Sequence, residues 1–229
     1  MPLLTKRLNR MAELTDQSAG ARDGQTEQRI LDAAHRVFLR SGTAGARMQD
    51  IAREAGVNQA LLHYYFRSKD RLAQAVFQRA ARQLFPPLVA ILGSDAGLQE
   101  KVRRVVDQYI DTLRRTPHLP GYLRGELHQH PERAQQLFTA LTGMRIEGIA
   151  PGVFARLGAQ IEADVAAGRI RPIDPRQFVV NLASLCIFPF AARPMIAVLL
   201  GVVGDEAFDA FIEERKRVLP ELFWRGLQP

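Results

Sequence analysis

The chain has 229 residues and a net charge of +7, so it can bury one or two real cores and suits a polyanionic partner. Its one cysteine, Cys186, excludes an intrachain disulfide and fits a reducing cytoplasm. No apolar run of a signal peptide opens the chain, and the longest apolar stretch, 178–192, is broken by Asn181, Ser184 and Pro189, so neither export nor a membrane partner is expected.

Residues 1–25 are expected to form a disordered tail, because Asp, Gln, Ser, Gly, Thr and Arg dominate from 15 to 26. Lys6, Arg7 and Arg10 resemble the basic arms that enter a minor groove, although a plain tail is the simpler reading. A first helix is expected over 26–41. Ile30, Ala34, Val37, Phe38 and Ser41 share one face there, and Gly42 ends it.

The stretch 47–69 is the most informative. Met48, Ile51, Ala52 and Ala55 repeat at i, i+3, i+4 and i+7, which draws one apolar stripe on a second helix. Gly56 follows, and glycine takes positive φ past a helix end without a Cβ clash. Val57 can plug the turn, and Asn58 is a good N-cap for a third helix over 59–66. Leu62, Tyr65 and Phe66 can face inward, while Gln59, Ala60, His63 and part of Tyr64 can face outward. Ser68 then caps a fourth helix whose first turn holds Asp70. Two short helices around a tight turn make a helix-turn-helix and point to DNA binding. The charge agrees in direction: residues 1–72 carry 12 Lys and Arg against 8 Asp and Glu, and the longer remainder carries 19 against 16.

The rest reads as helix, with no β alternation and no repeat. The fourth helix is expected from 69 to about 84, stopped by Pro86 and Pro87. A fifth covers 98–115 with Val102, Val105, Val106, Tyr109, Ile110 and Leu113 inside, and a short one follows over 120–129. Helices over 131–147 and 151–167 are separate, or one helix kinked at Gly148 and Pro151, and Gly168 ends them. Asp174-Pro175 opens a helix to 188 that is apolar nearly all round, as a helix buried on every side would be. The last helix, 205–224, carries a broad apolar stripe. The fold class is therefore all-α: a helix-turn-helix domain at 26–72 and a larger helical domain at 73–229.

These residues resemble the TetR family of bacterial one-component regulators over roughly 26–72. The matching pieces are Ile30-Leu31 with Ala33-Ala34, Phe38, Gly42, Asp50-Ile51-Ala52, Ala55-Gly56-Val57, and Phe66-Arg67-Ser68-Lys69, all in order. The resemblance implies a homodimer that binds a double-stranded, palindromic DNA operator, represses, and is released by a small-molecule inducer, with no catalysis. It implies DNA contacts from Asn58, Gln59, Ala60, Leu61, His63, Tyr64, Tyr65 and Lys69. Gln59 suits an adenine edge and Leu61 a thymine methyl. The chain departs from the family at His63, where a tyrosine is usual, and at Ala46-Arg47, where a threonine often precedes the second helix. Arg47 would there supply the phosphate contact by charge. The resemblance also implies dimerisation through the last two long helices, with Phe178, Leu182, Leu185, Phe208, Phe211, Ile212, Arg215, Leu219 and Leu222 as candidates.

The middle helices offer Tyr109, Leu123, Leu127, Phe138, Leu141, Met144 and Phe154 to an apolar ligand cavity. Glu126 and Glu147 sit among apolar neighbours, where either could face a cationic ligand. No His-Glu-x-x-His, paired cysteines or phosphate-binding glycine loop is present, so no metal or cofactor is expected. Two other readings stand behind the regulator: a helical ligand-binding protein without specific DNA recognition and, more distantly, an enzyme using Glu126 and His130.

Overall fold

The computed structural model describes residues 2–117, 119–133, 135 and 146–229, with side chains from residue 23 onward except 146–151. Every long regular element among the described residues is an α-helix. The chain divides into two compact units, Met1–Val76 and Phe77–Pro229.

The first unit holds α1 (Pro2–Gly45), α2 (Met48–Ala55), α3 (Gln59–Phe66) and the start of α4 (Lys69–Gly93). The backbone of α1 is helical from Pro2, where a disordered tail was expected through residue 25. Residues 3–25 contain no proline and include many good helix formers. A helix nucleated by the 26–41 stripe can therefore propagate backwards, gaining one hydrogen bond per residue added. Its regular run breaks at Gly42, whose φ of 65 is the left-handed region open to glycine. Ile30, Ala33, Ala34, Val37 and Phe38 of α1 are buried with Ile51, Ala52 and Ala55 of α2 and Leu62 and Phe66 of α3. Each large member of that core contributes about 1.5–3 kcal/mol by leaving water.

The second unit holds the later part of α4, α5 (Leu98–Arg115), α6 (Leu119–Gln129), α7 (Ile146–Ala166), α8 (Pro175–Ala191), α9 (Arg193–Leu200) and α10 (Asp205–Arg225). Here α4 runs through Pro86 and Pro87 to Gly93 rather than stopping near residue 84. The prolines remove two amide donors, but the residues four back, Arg82 and Gln83, are exposed, so water can serve their carbonyls. Lys101 closes the far end of this helix. Its buried ammonium donates to the Leu92 carbonyl at 2.6 Å and to Gln160 Oε1 at 2.5 Å, a cation set at the negative end of a helix.

Helix α5 packs on α8 and α10, and its predicted inner residues Val102, Val105, Val106, Tyr109, Ile110 and Leu113 are all buried. Helix α7 passes through Pro151 as one piece from Ile146. Helix α8 continues beyond residue 188 through the buried Pro189, then bends by 74° into α9, which the sequence reading did not anticipate. Helix α8 turns one side to the core of the chain and leaves the other open. Phe178, Leu182, Cys186 and Phe190 are buried, but Val180, Ser184 and Phe188 form an exposed edge. No single helix among the described residues is long and apolar enough to cross a membrane.

Candidate nucleic-acid interface and ligand cavity

The turn between α2 and α3 is built by its own chemistry. Gly56 takes φ 63 and ψ 37, and its amide donates to the Arg53 carbonyl at 3.2 Å while Val57 donates to Ala52 at 3.0 Å. That pair of bonds satisfies carbonyls the helix end leaves open. Asn58 then starts α3, accepting the Leu61 amide on Oδ1 at 2.7 Å. The cap engages the Asn58 oxygen, so the structural role of Asn58 is to start the helix. The turn is also clamped from α1. Arg29 donates to the carbonyls of Ala55 and Gly56, and Glu54 accepts from Arg36 and Arg40, each at 2.9 Å.

Because α3 is held by Leu62 and Phe66, the opposite positions are presented to solvent. Gln59, Ala60, His63 and Tyr64 are exposed, with Tyr64 72% accessible. Their spacing of 0, 1, 4 and 5 residues sets them on one helical face. Leu61 is half-buried at the edge of that face. Arg67 ends α3 with φ 54, an uncommon conformation for a side-chain-bearing residue, and its amide donates to the His63 carbonyl at 2.9 Å. The face can offer an amide side chain to a base edge, a small residue for close approach, and a phenol to a phosphate.

Tyr65 and Lys69 have further ties inside the unit, and Arg47 is exposed. The Tyr65 hydroxyl donates to Asp23 Oδ1 at 2.5 Å, which also raises the phenol pKa, so this side chain is engaged by α1. Lys69 donates to the carbonyls of Ala44 and Ala46, each at 3.2 Å, and thus pins the segment before α2 to the start of α4. Arg47 precedes α2 in extended backbone, makes no side-chain cap and is exposed. Its side chain is open to solvent.

The second unit contains an apolar cavity of about 200 Å³. Phe85, Leu88, Val89 and Leu92 line it from α4, Val105 and Tyr109 from α5, Val153 and Phe154 from α7, and Val179, Leu182 and Ala183 from α8. Of the sequence-predicted ligand residues, Tyr109 and Phe154 are there. Leu123 and Leu127 lie on α6 and do not line it. Phe138, Leu141 and Met144 lie outside the described residues, as does the Glu147 side chain. Glu126 is corrected as a ligand group: it is buried and ion-paired with the buried Arg133. The Glu126–His130 pair of the enzyme reading is not assembled either, since the His130 ring faces Glu132 at 3.3 Å. The missed lining of α4 had a readable signal. Residues 85, 88, 89 and 92 repeat at i, i+3, i+4 and i+7, a stripe that continues past the two prolines.

The proposed dimer residues separate into two groups. Phe178, Leu182, Phe208, Ile212 and Leu219 are buried within the single chain, so they are its own core and not a surface for a partner. They were misassigned because an apolar stripe does not reveal which side it faces. Leu185, Phe211 and Arg215 are half-buried and Leu222 is exposed. Phe211, Arg215, Val218 and Leu222 repeat at i, i+4, i+7 and i+11, and the Arg215 guanidinium donates to the Leu185 carbonyl at 2.8 Å. An apolar band on α10 thus runs beside α8.

Comparison with known proteins agrees with this architecture. A family model described as bacterial regulatory proteins of the tetR family matches residues 30–76. The chain is 30% identical over 189 residues to the HTH-type transcriptional repressor NicS of Pseudomonas putida, covering 78% of this chain and 82% of that protein. It is 38% identical over 88 residues to the HTH-type transcriptional regulator BetI of Agrobacterium fabrum, covering 38% of this chain. The match spans only 43% of that BetI, and a match to the regulator SrpR of Pseudomonas putida spans 40% of it. Among solved structures, a TetR family transcription regulator from Marinobacter aquaeolei shares the fold with a TM-score of 0.60 at 18% identity, over 90% of this chain and 97% of that one. With the capped helix-turn-helix, the all-helical second unit and a relative matched over most of its length, the chain belongs to the TetR family of bacterial regulatory proteins.

Proposed function

We propose that this protein is a transcriptional repressor that binds a two-fold symmetric DNA operator as a homodimer and is released by a small molecule. The observation that carries the reading is the exposed face of α3, where Gln59, Ala60, His63 and Tyr64 stand together on a helix capped at both ends. Gln59 reads a base edge, Tyr64 and Arg47 bind phosphates, and Lys69 adds positive charge near the backbone. The similar protein NicS is a transcriptional repressor, which supports the sign of regulation. The dimer forms through the α10 band of Phe211, Val218 and Leu222 with the exposed edge of α8, an isologous arrangement that matches a palindromic site. The cavity in the second unit holds the inducer, and the protein acts in the cytoplasm, where its operator lies.

The test is selection of bound sequences from a random duplex pool by the purified protein at near-physiological salt. Enrichment of a two-fold symmetric sequence supports the reading. Binding without enrichment, or no binding, overturns it in favour of a helical ligand-binding protein.

A further inference from the structure

The cavity in the second unit restricts what it can hold more sharply than its family membership does. Its volume is about 200 Å³. An apolar cavity of about 150 Å³ admits benzene, so this one suits a single ring with a short substituent. None of its described lining residues is charged. An ion entering it would lose its hydration and find no counter-charge among these described residues, a cost that contacts of this size do not offset.

Tyr109 is the one polar side chain among the described lining residues. It is only 6% exposed, and its hydroxyl has no hydrogen-bond partner among the described residues. A ligand acceptor placed against this hydroxyl gains a hydrogen bond there. Burial pushes the phenol up to about 12, so the group keeps its proton. The buried Cys186 thiol, which acts on Tyr109 electrostatically, is likewise pushed up to about 12 and stays neutral.

We infer that the cavity takes an uncharged, single-ring molecule bearing one hydrogen-bond acceptor, which the Tyr109 hydroxyl engages. This rests on the reading of the second unit as the inducer-binding part. Tyr109 would set specificity here: shape and apolar contact admit the ring, and the hydroxyl selects for the acceptor. A site that pairs a polar group rejects an analogue lacking that group more strongly than a purely apolar pocket rejects one differing by a methylene.

The experiment is calorimetric titration of the full chain with three probes: acetophenone, ethylbenzene and benzoate. They share a ring and differ in acceptor and charge. Acetophenone is expected to bind, ethylbenzene to bind more weakly, and benzoate not to bind. Tyr109→Phe keeps the ring and removes the hydroxyl. It is expected to weaken acetophenone about tenfold and to leave ethylbenzene unchanged. Ala183→Leu, which fills the cavity from α8, is expected to block both neutral probes. Equal weakening of both neutral probes by Tyr109→Phe would overturn the role of the hydroxyl. Benzoate binding as tightly as acetophenone, no binding of any probe to folded protein, or probes that still bind Ala183→Leu would overturn the site. The duplex selection uses none of these probes. Enrichment of an operator without probe binding sinks this inference alone, and probe binding without enrichment sinks the DNA reading alone.

Discussion

The Arg29 guanidinium donates to the Ala55 carbonyl at 2.8 Å, joining residues 26 positions apart. One side chain of α1 thereby caps the end of α2 and steadies the turn that leads into α3. The same nitrogen lies where a side chain at position 56 would go, since a Cβ on Gly56 would stand 3.2 Å from Arg29 Nη2. Glycine at 56 therefore serves both the left-handed backbone and the space that Arg29 fills.

Arg29→Ala and Gly56→Ala are each expected to destabilise the protein by about 1 kcal/mol, the first through the lost bonds and the second through positive φ. Together they should cost less than the sum, because removing Arg29 relieves the crowding that a Cβ at 56 creates. Urea melts of the four proteins measure this. A strictly additive double variant would show that the two residues are not coupled.

Gln59→Ala should relax base preference at one operator position, at a cost of about 1–3 kcal/mol for a bidentate contact. Binding to a panel of single-base operator variants reads the effect. Uniform weakening across the panel would remove Gln59 from the base readers.

Lys69→Ala should act twice. It removes two bonds to the carbonyls of Ala44 and Ala46, so the melting temperature falls. It also removes a charge near the phosphates, so the slope of log affinity against log salt falls by about one. A lower melting temperature with an unchanged slope would make Lys69 a purely internal tie.

Glu54 is held below its usual value of 4.5 by side-chain hydrogen bonds, first from Arg36 and then from Arg40. Its contribution is therefore present above 4.5 and is lost as pH falls through the lowered folded-state value. The stability gap between the wild type and Glu54→Gln should be widest near neutral pH and should close in acid. Melting curves across that range test it, and a gap independent of pH would mean that the Glu54 charge is not what matters.

Leu222 is 61% exposed on α10, whereas Leu219, one turn back, is fully buried. Leu222→Asp should leave the helical spectrum intact and turn a dimer into single chains by light scattering. Leu219→Asp should instead unfold the second unit. A Leu222→Asp protein that stays dimeric would place the interface elsewhere.

The helix-turn-helix was legible because its signals are local. Gly56, Asn58 and the 48-51-52-55 stripe each act within one turn of backbone, so reading them needs no knowledge of neighbours. The cavity and the outward face of α10 were only partly legible. Pro86 and Pro87 argued for a stop near residue 84, yet the helix continues to Gly93 and supplies four of the cavity's lining residues. Glu126 looked available to a ligand until Arg133, seven residues later, was seen to neutralise it.

Periodicity, capping residues and the ordered motif pieces were enough to establish the all-α class, the turn at Gly56 and the face of α3. Tertiary packing alone decided which side of each apolar stripe is inside. Phe208, Ile212 and Leu219 went to the core of the chain, while Val218 and Leu222 were left outside. The reason is physical: hydrophobic burial is non-directional, so an apolar side chain records that it leaves water but not which surface it leaves water against.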